Sequence, residues 1–358
     1  MKVGKLVAAV AVVALVVGGY MAFFTPRAVA SLALQVNPAI GLTVSGKDRI
    51  MDAEGLDAQG EALLAGLKLE GKKVDEALRL IAEELHKAGL LDPQRRIVIA
   101  LSPIEDKLPQ KALTALTETV RGTLDGYLKE QGLSVKVVSV EVTGELAESA
   151  RKAGILPDDY VDLVEEAGSE LAMKVLELQA ELDIDPELFS DEFDTIAAGL
   201  LDMLEAGMTE EAALAILKGT LVTDPELEEL STIVAATIDL HDVGATAEDI
   251  MAVLALVEAQ LAAGTDRELL LEEITTFTAA MVDLLEAGVK SEAALAMLKT
   301  AMEADPTLEE LTTITAAMAD LIEAGLTEAE ALAKIETAIK ADPTLEDFDD
   351  LIEGSDDD

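Results

Sequence analysis

The second half of the chain repeats itself, and that limits its architecture more than any other feature. TIAAGLLDMLEAG ends at Gly207, TIVAATIDLHDVG at Gly244, TFTAAMVDLLEAG at Gly288 and TITAAMADLIEAG at Gly325, so the copies are spaced by 37, 44 and 37 residues. A second marker runs in parallel as Asp185-Pro186, Asp224-Pro225, Asp266-Arg267, Asp305-Pro306 and Asp342-Pro343. A period near 40 residues marks helix–turn–helix units, which bury their apolar faces only by stacking on one another. In the last copy Asp305 is expected to cap a helix, with Pro306 at its first position and Glu309 and Glu310 at its positive end. Leu308, Leu311, Ile314, Met318 and Leu321 then fall on one helical face, and Gly325 stops it. Thr327 with Glu330 three residues on reads as a capping box for the partner helix. Ala-Ala pairs such as Ala316-Ala317 leave room for close helix packing. The expectation for residues 161–350 is an all-α, α-solenoid-like array of helical hairpins, with 351–358 as an acidic tail.

Charge separates this region from the rest. The chain carries 71 acidic and 26 basic residues, a net charge of −45. Residues 161–358 hold 50 of the acids and seven of the bases, whereas residues 1–160 are nearly neutral. Such asymmetry marks separate domains. It also argues against nucleic-acid binding, which draws on basic surface to displace phosphate counterions. With no Cys there is no disulfide, thiolate metal site or thiol nucleophile. Two His leave little for imidazole chemistry, and no P-loop, G-x-G-x-x-G or G-x-S-x-G motif occurs. No cofactor is expected, and the chain does not read as an enzyme.

The N-terminal region reads as a membrane segment. Leu6 to Phe24 (LVAAVAVVALVVGGYMAFF) carries no charge. As a helix its nineteen residues span ~28 Å, close to the thickness of a bilayer core. Its Leu, Val and Phe residues favour insertion by roughly 3–6 kcal/mol in sum. Lys2 and Lys5 place the N-terminus inside, so residues 1–27 are expected to be a short cytoplasmic start and a single membrane-spanning helix. The bulk of the chain is then extracytoplasmic. The alternative is a cleaved signal peptide with Ala28-Val29-Ala30 as its processing site, which gives a secreted protein beginning at Ser31.

Residues 28–160 read as a small α+β domain. Strands are expected at Ala28–Val36, Ala39–Val44, Arg49–Ala53, Arg96–Leu101 and Ser134–Val142. Helices are expected at Asp57–Leu67, Val74–Ala88, Gln110–Gln131 and Gly144–Ala153.

Several stretches here, in this order, resemble the extracytoplasmic middle domain of the anti-sigma-I factor (RsgI) family over about residues 20–165. They are TPRAVASLALQVNPAIGLTV after the apolar segment, Leu56-Asp57-Ala58-Gln59-Gly60, Leu69-Glu70-Gly71-Lys72, Ile97–Ser102, Val142-Thr143-Gly144-Glu145-Leu146 and Ala150-Arg151-Lys152-Ala153-Gly154-Ile155. The resemblance implies a signalling protein whose exported part senses an extracellular signal, often a polysaccharide. It also implies a sigma factor held by an N-terminal cytoplasmic domain. Five residues precede the apolar segment here, so that sigma-binding domain is expected to be lacking and sigma-factor inhibition by this chain alone is not expected. Some members cut themselves at the Asn-Pro bond that Asn37-Pro38 matches, although Gln35, Ala39 and Gly41 depart from the surrounding pattern.

Two sets of residues are therefore candidates for function. At Asn37-Pro38 the proline lacks an N–H, which closes the usual deamidation route. Attack by the Asn37 side-chain nitrogen on its own carbonyl would break the chain, given a held geometry and a polarised carbonyl. The plainer reading is a turn between two strands. In the repeats, Asp202, Asp239, Asp283 and Asp320 each stand five residues before the Gly. Stacking would align them into an acidic ladder able to hold a cation such as Ca²⁺, against the simpler reading of a solvated helix face. The reading as a whole is a membrane-anchored protein for envelope sensing or for binding an envelope protein or polysaccharide. The alternatives are a structural cell-surface spacer and a protein whose only chemistry is self-cleavage.

Overall fold

A computed structural model of the 358-residue chain describes residues 27–105, 107–264, 267–304 and 310–341. The expected membrane segment Leu6–Phe24, and the acidic tail, lie outside the described residues. Among the described residues no helix is long and apolar enough to cross a membrane. The chain divides into two compact units, the first ending at Met173 and the second beginning at Lys174.

The first unit is the expected α+β domain. Its sheet is formed by β1 (Ala28–Gln35), β2 (Ala39–Ser45), β3 (Ile50–Gly55), β4 (Arg96–Pro103) and β5 (Lys136–Glu141), and its helices are α1 (Ala58–Leu64), α2 (Val74–Lys87), α3 (Gln110–Glu130), α4 (Gly144–Ala153) and the part of α5 (Pro157–Glu181) up to Met173. Each expected strand and helix falls within a few residues of an observed one. The sheet order is β3-β2-β1-β4-β5, so the first strand is the central one. Strand β1 is antiparallel to both neighbours, while β4 and β5 are parallel and joined through α3, the crossover that parallel pairing needs. Alternation along the strands sends Leu32, Leu34, Ile40, Leu42, Ile99 and Leu101 into one core, against Leu78, Ile81 and Leu85 of α2 and Leu113, Val120 and Leu124 of α3. Helix α5 is broken at Gly168, whose backbone (φ 82°, ψ 165°) leaves the helical region.

The second unit is a two-layered stack of hairpins. One layer is α7 (Phe193–Glu205), α9 (Leu230–Asp242), α12 (Ile274–Glu286) and α14 (Leu311–Glu323), the other is α8 (Glu210–Thr223), α10 (Ala247–Ala263), α13 (Ser291–Ala304) and α15 (Glu328–Ala341), and a short helix, α11 (Arg267–Glu272), precedes α12. Successive helices pack within each layer, and each hairpin pairs its two helices across the layers. The expected punctuation is present. Gly207, Gly244, Gly288 and Gly325 all have φ between 85° and 98°, the left-handed conformation that ends a helix at little cost to Gly. The residue after each Gly donates its N–H back to Met203, Leu240, Leu284 or Leu321, as a Schellman closure requires. Thr327 and Glu330 form the expected reciprocal cap, with the Thr327 N–H donating to the Glu330 carboxylate at 2.9 Å.

The Asp-Pro marker corrects one expectation. Asp185 caps a separate six-residue helix, α6 (Pro186–Asp191), and the repeat helix α7 starts only at Phe193. Asp224 instead closes α8, and α9 starts at Leu230. In the last copy α14 begins at Leu311 with Glu310 at its cap position, and Asp305–Glu309 lie outside the described residues. Asp224 therefore belongs to the link between α8 and α9, and Asp185 to a short helix ahead of α7. The Ala-Ala pairs work by halves. Ala197, Ala236 and Ala280 are buried and Ala317 is half-buried, while Ala198, Ala235, Ala279 and Ala316 are exposed.

Asp224 is 1% exposed, and its Oδ2 accepts from the Glu229 N–H at 2.8 Å while its Oδ1 is buried without a partner among the described residues. Burial pushes its carboxyl above the ordinary range, against the pull of the Glu229 and Glu228 amides and of Arg267. Because the folded pKa is raised, the contribution of this group is full below the ordinary carboxylate range and is lost as pH rises through the folded value. Asp224→Asn is therefore expected to raise the urea midpoint of the helical unit at pH 7, with the gain disappearing toward pH 3. An unchanged or lower midpoint at pH 7 would count against this assignment.

Candidate functional site

The Asn37-Pro38 turn closes the β1–β2 hairpin. Gln35 and Ala39 form the last strand pair, leaving Val36, Asn37 and Pro38 as the loop. Asn37 has φ 54°, a left-handed conformation that Asn tolerates better than most residues. The Val36 N–H donates to the Pro38 carbonyl at 2.9 Å. Pro38 is buried, whereas Asn37 is exposed and its side chain makes no hydrogen bond among the described residues.

The chain just after Pro38 is held on both sides of one residue. The Ala39 N–H donates to Asp57 Oδ2 at 2.9 Å, and the Ala39 carbonyl accepts from the Leu56 N–H at 2.9 Å. Asp57 also caps α1 by accepting from the Gly60 N–H. Gly60 lies so near that a Cβ there would stand 2.1 Å from the Ala39 carbonyl oxygen. Asp57 and Gly60 of the Leu56–Gly60 stretch thus have a physical reason for their identities. One is a clamp, and the other is the only residue small enough to let the helix approach.

On the other side of the turn, Gln35 Oε1 accepts from the Asp158 N–H at 2.7 Å. Arg96 at the start of β4 donates through Nε to Asp158 at 2.7 Å and grips Asp162 with both terminal nitrogens at 2.7 and 3.0 Å. This fork geometry is the strong form of the guanidinium–carboxylate pair. The bond to Asp162, and then that to Asp158, holds the Arg96 guanidinium well above its ordinary pKa despite burial. The clamp ties the first turns of α5 to the ends of β1 and β4. Its partners are separated by 62 and 66 residues, so no local pattern announces it. Beside it runs a groove of about 830 Å³ lined by Gln35, Asn37, Gln94, Arg95 and Lys136.

The sequence candidates are thus not brought together. Asn37 and Pro38 sit at one end of the sheet, in the first unit. Asp202, Asp239, Asp283 and Asp320 lie toward solvent, one on each successive helix of the α7, α9, α12 and α14 layer. Among the described residues no three His, Asp or Glu side chains gather closely enough to hold a metal ion. His86 approaches the Tyr127 hydroxyl at 3.3 Å, a contact between α2 and α3.

A small α+β domain with its first strand at the centre, followed by a separate helical stack, defines a two-module protein. Its first module resembles a known family. Residues 29–164 match the family described as the anti-sigma factor RsgI-like central domain, which bears out the resemblance read from the sequence. Two relatives from Acetivibrio thermocellus are similar to this chain. Anti-sigma-I factor RsgI6 is 25% identical over 200 residues, and anti-sigma-I factor RsgI7 is 22% identical over 160 residues. These alignments cover 51% and 45% of this chain but 26% of each relative, so the chain spans about a quarter of the length of the proteins it matches.

Proposed function

We propose that this chain is an extracytoplasmic regulatory protein, anchored through residues 6–24, whose acidic helical stack binds an envelope partner. The central-domain match carries this reading, since both matched relatives are named as anti-sigma factors. Charge supports a binding role for the stack, because its dense negative field favours a basic partner and disfavours anionic ones. The fold also bears on the signal-peptide alternative. Processing after Ala30 would trim three residues from the central strand, including Ala30 itself, which is fully buried between Val44 and Pro103. A permanent anchor leaves β1 whole.

On this reading Asn37-Pro38 is a structural turn. Self-cleavage needs a donor on the Asn37 carbonyl and a held side-chain amide. The exposed, unbonded Asn37 side chain is not held for attack, and Gln35 is committed to Asp158. A spacer role is the competing reading for the stack. Deleting the gene and measuring transcripts separates the two: loss of a regulator changes a defined set of envelope genes, and loss of a spacer changes none. Capture of a partner by the full chain should also fail at about 1 M salt, where the Debye length falls to ~3 Å.

A further inference from the structure

The sheet face opposite α2 and α3 carries small side chains in register. Ala33 of β1 pairs with Gly41 of β2 and Ala100 of β4, and Ser31 pairs with Ser102. Across this face lie α4 and the start of α5, and between the two layers is a cavity of about 110 Å³. It reaches solvent beside Glu54 and Arg151, exposed residues whose charges stand 3.8 Å apart. Close helix–sheet packing would account for the alanines. It does not account for Ser102 and Tyr160, which line the cavity and are each 3% exposed. Neither hydroxyl has a hydrogen-bond partner among the described residues.

Both hydroxyl oxygens open onto the cavity and not into packed side chains, so their hydrogen bonds can be made only to what occupies it, and leaving them unmade costs their desolvation. Whatever enters this cavity supplies the missing partners. The space holds roughly three to four waters at ~30 Å³ each, or one molecule of about five non-hydrogen atoms. Its mouth is charge-balanced, so it selects neither anion nor cation. Hydroxyls both donate and accept, and they are matched by a ligand that does the same. We propose that this cavity is a binding site for a small neutral polyol of two or three carbons. Ser102 and Tyr160 hold its hydroxyls, while Ala33, Ala100 and Ala150 cover its carbons. The site does not depend on the function proposed above.

The chain's tyrosines allow a direct test, because there are only three, at 20, 127 and 160. The full chain labelled with 3-fluorotyrosine gives three ¹⁹F signals, assigned with Tyr127→Phe and Tyr160→Phe. Ethylene glycol and glycerol should shift the Tyr160 signal along a saturable curve and leave the Tyr127 signal in place, whereas sucrose should move neither. Ala147→Leu, which fills the cavity, should abolish the shift. Ser102→Ala, which keeps the fold's shape, should weaken binding by roughly fivefold. A Tyr160 signal that stays still, that drifts in parallel with Tyr127, or that saturates unchanged in both variants would overturn the proposal and leave a hydrated cavity.

Discussion

Gly60→Val is expected to prevent the first unit from folding while leaving the helical unit intact. A Cβ at this position would lie 2.1 Å from the Ala39 carbonyl oxygen, and that oxygen cannot withdraw. Ala39 is fixed through its carbonyl by the Leu56 N–H and through its own N–H by Asp57. Relief would have to part α1 from the start of β2, breaking those bonds and exposing Ile40 and Leu42. Overpacking in a tight interior costs ~1–3 kcal/mol, and a clash with pinned backbone belongs at or beyond the upper end. Near-UV circular dichroism reads the effect, because Tyr127 and Tyr160 both belong to the first unit. Their signal should vanish while most far-UV helical signal remains. Gly122→Ala is the matched control. Gly122 sits inside α3, where a Cβ would meet no other atom within 4 Å, so Ala there should stabilise by about 0.5–1 kcal/mol.

Phe277→Ala is expected to have the largest effect on the helical unit. Phe277 is fully buried in α12, the helix that packs on α9 before it, on α14 after it and on α13 across the hairpin. Truncating a buried Phe costs about 3–5 kcal/mol through lost transfer energy and the cavity left behind. In a stacked array each hairpin is stabilised mainly by its neighbours, so the loss weakens two interfaces at once. Thermal unfolding should show the helical transition falling by many degrees, with the tyrosine signal of the first unit unmoved. A helical transition within a degree of the parent would mean that α12 is not central to the stack.

The features legible in the sequence are the local ones. The four Gly stops and the Thr327–Glu330 cap are set by backbone conformation and by hydrogen bonds within a few residues, so they survive being read one dimension at a time. The strands of the α+β domain show as apolar runs bounded by Pro and Gly. Their order does not, because nothing along the chain says that β1 takes the centre of the sheet. The Arg96 clamp is invisible to local pattern because its partners are far apart in sequence. Asp185 and Asp224 have the expected capping chemistry in a different place, since an Asp-Pro pair looks the same before a long helix as before a short linking turn. The small residues facing α4 alternate with large ones along β1 and β4, a signal that has meaning only once both faces are known to be covered.

An anchored, intact chain that presents its helical stack outside the cell can be tested in one measurement. Cells making the protein are treated with external protease, and the chain extracted from membranes before and after treatment is weighed intact. The expected result is a single membrane-bound species that keeps residues 1–30 joined to the rest of the chain, and that external protease shortens by removing the helical stack. A protease-resistant chain in the soluble cell fraction, or one in the medium beginning at Ser31, would contradict it. A membrane complex containing a fragment that begins at Pro38 would show that the Asn37 turn is a cleavage site, and the structural reading of that turn would fall.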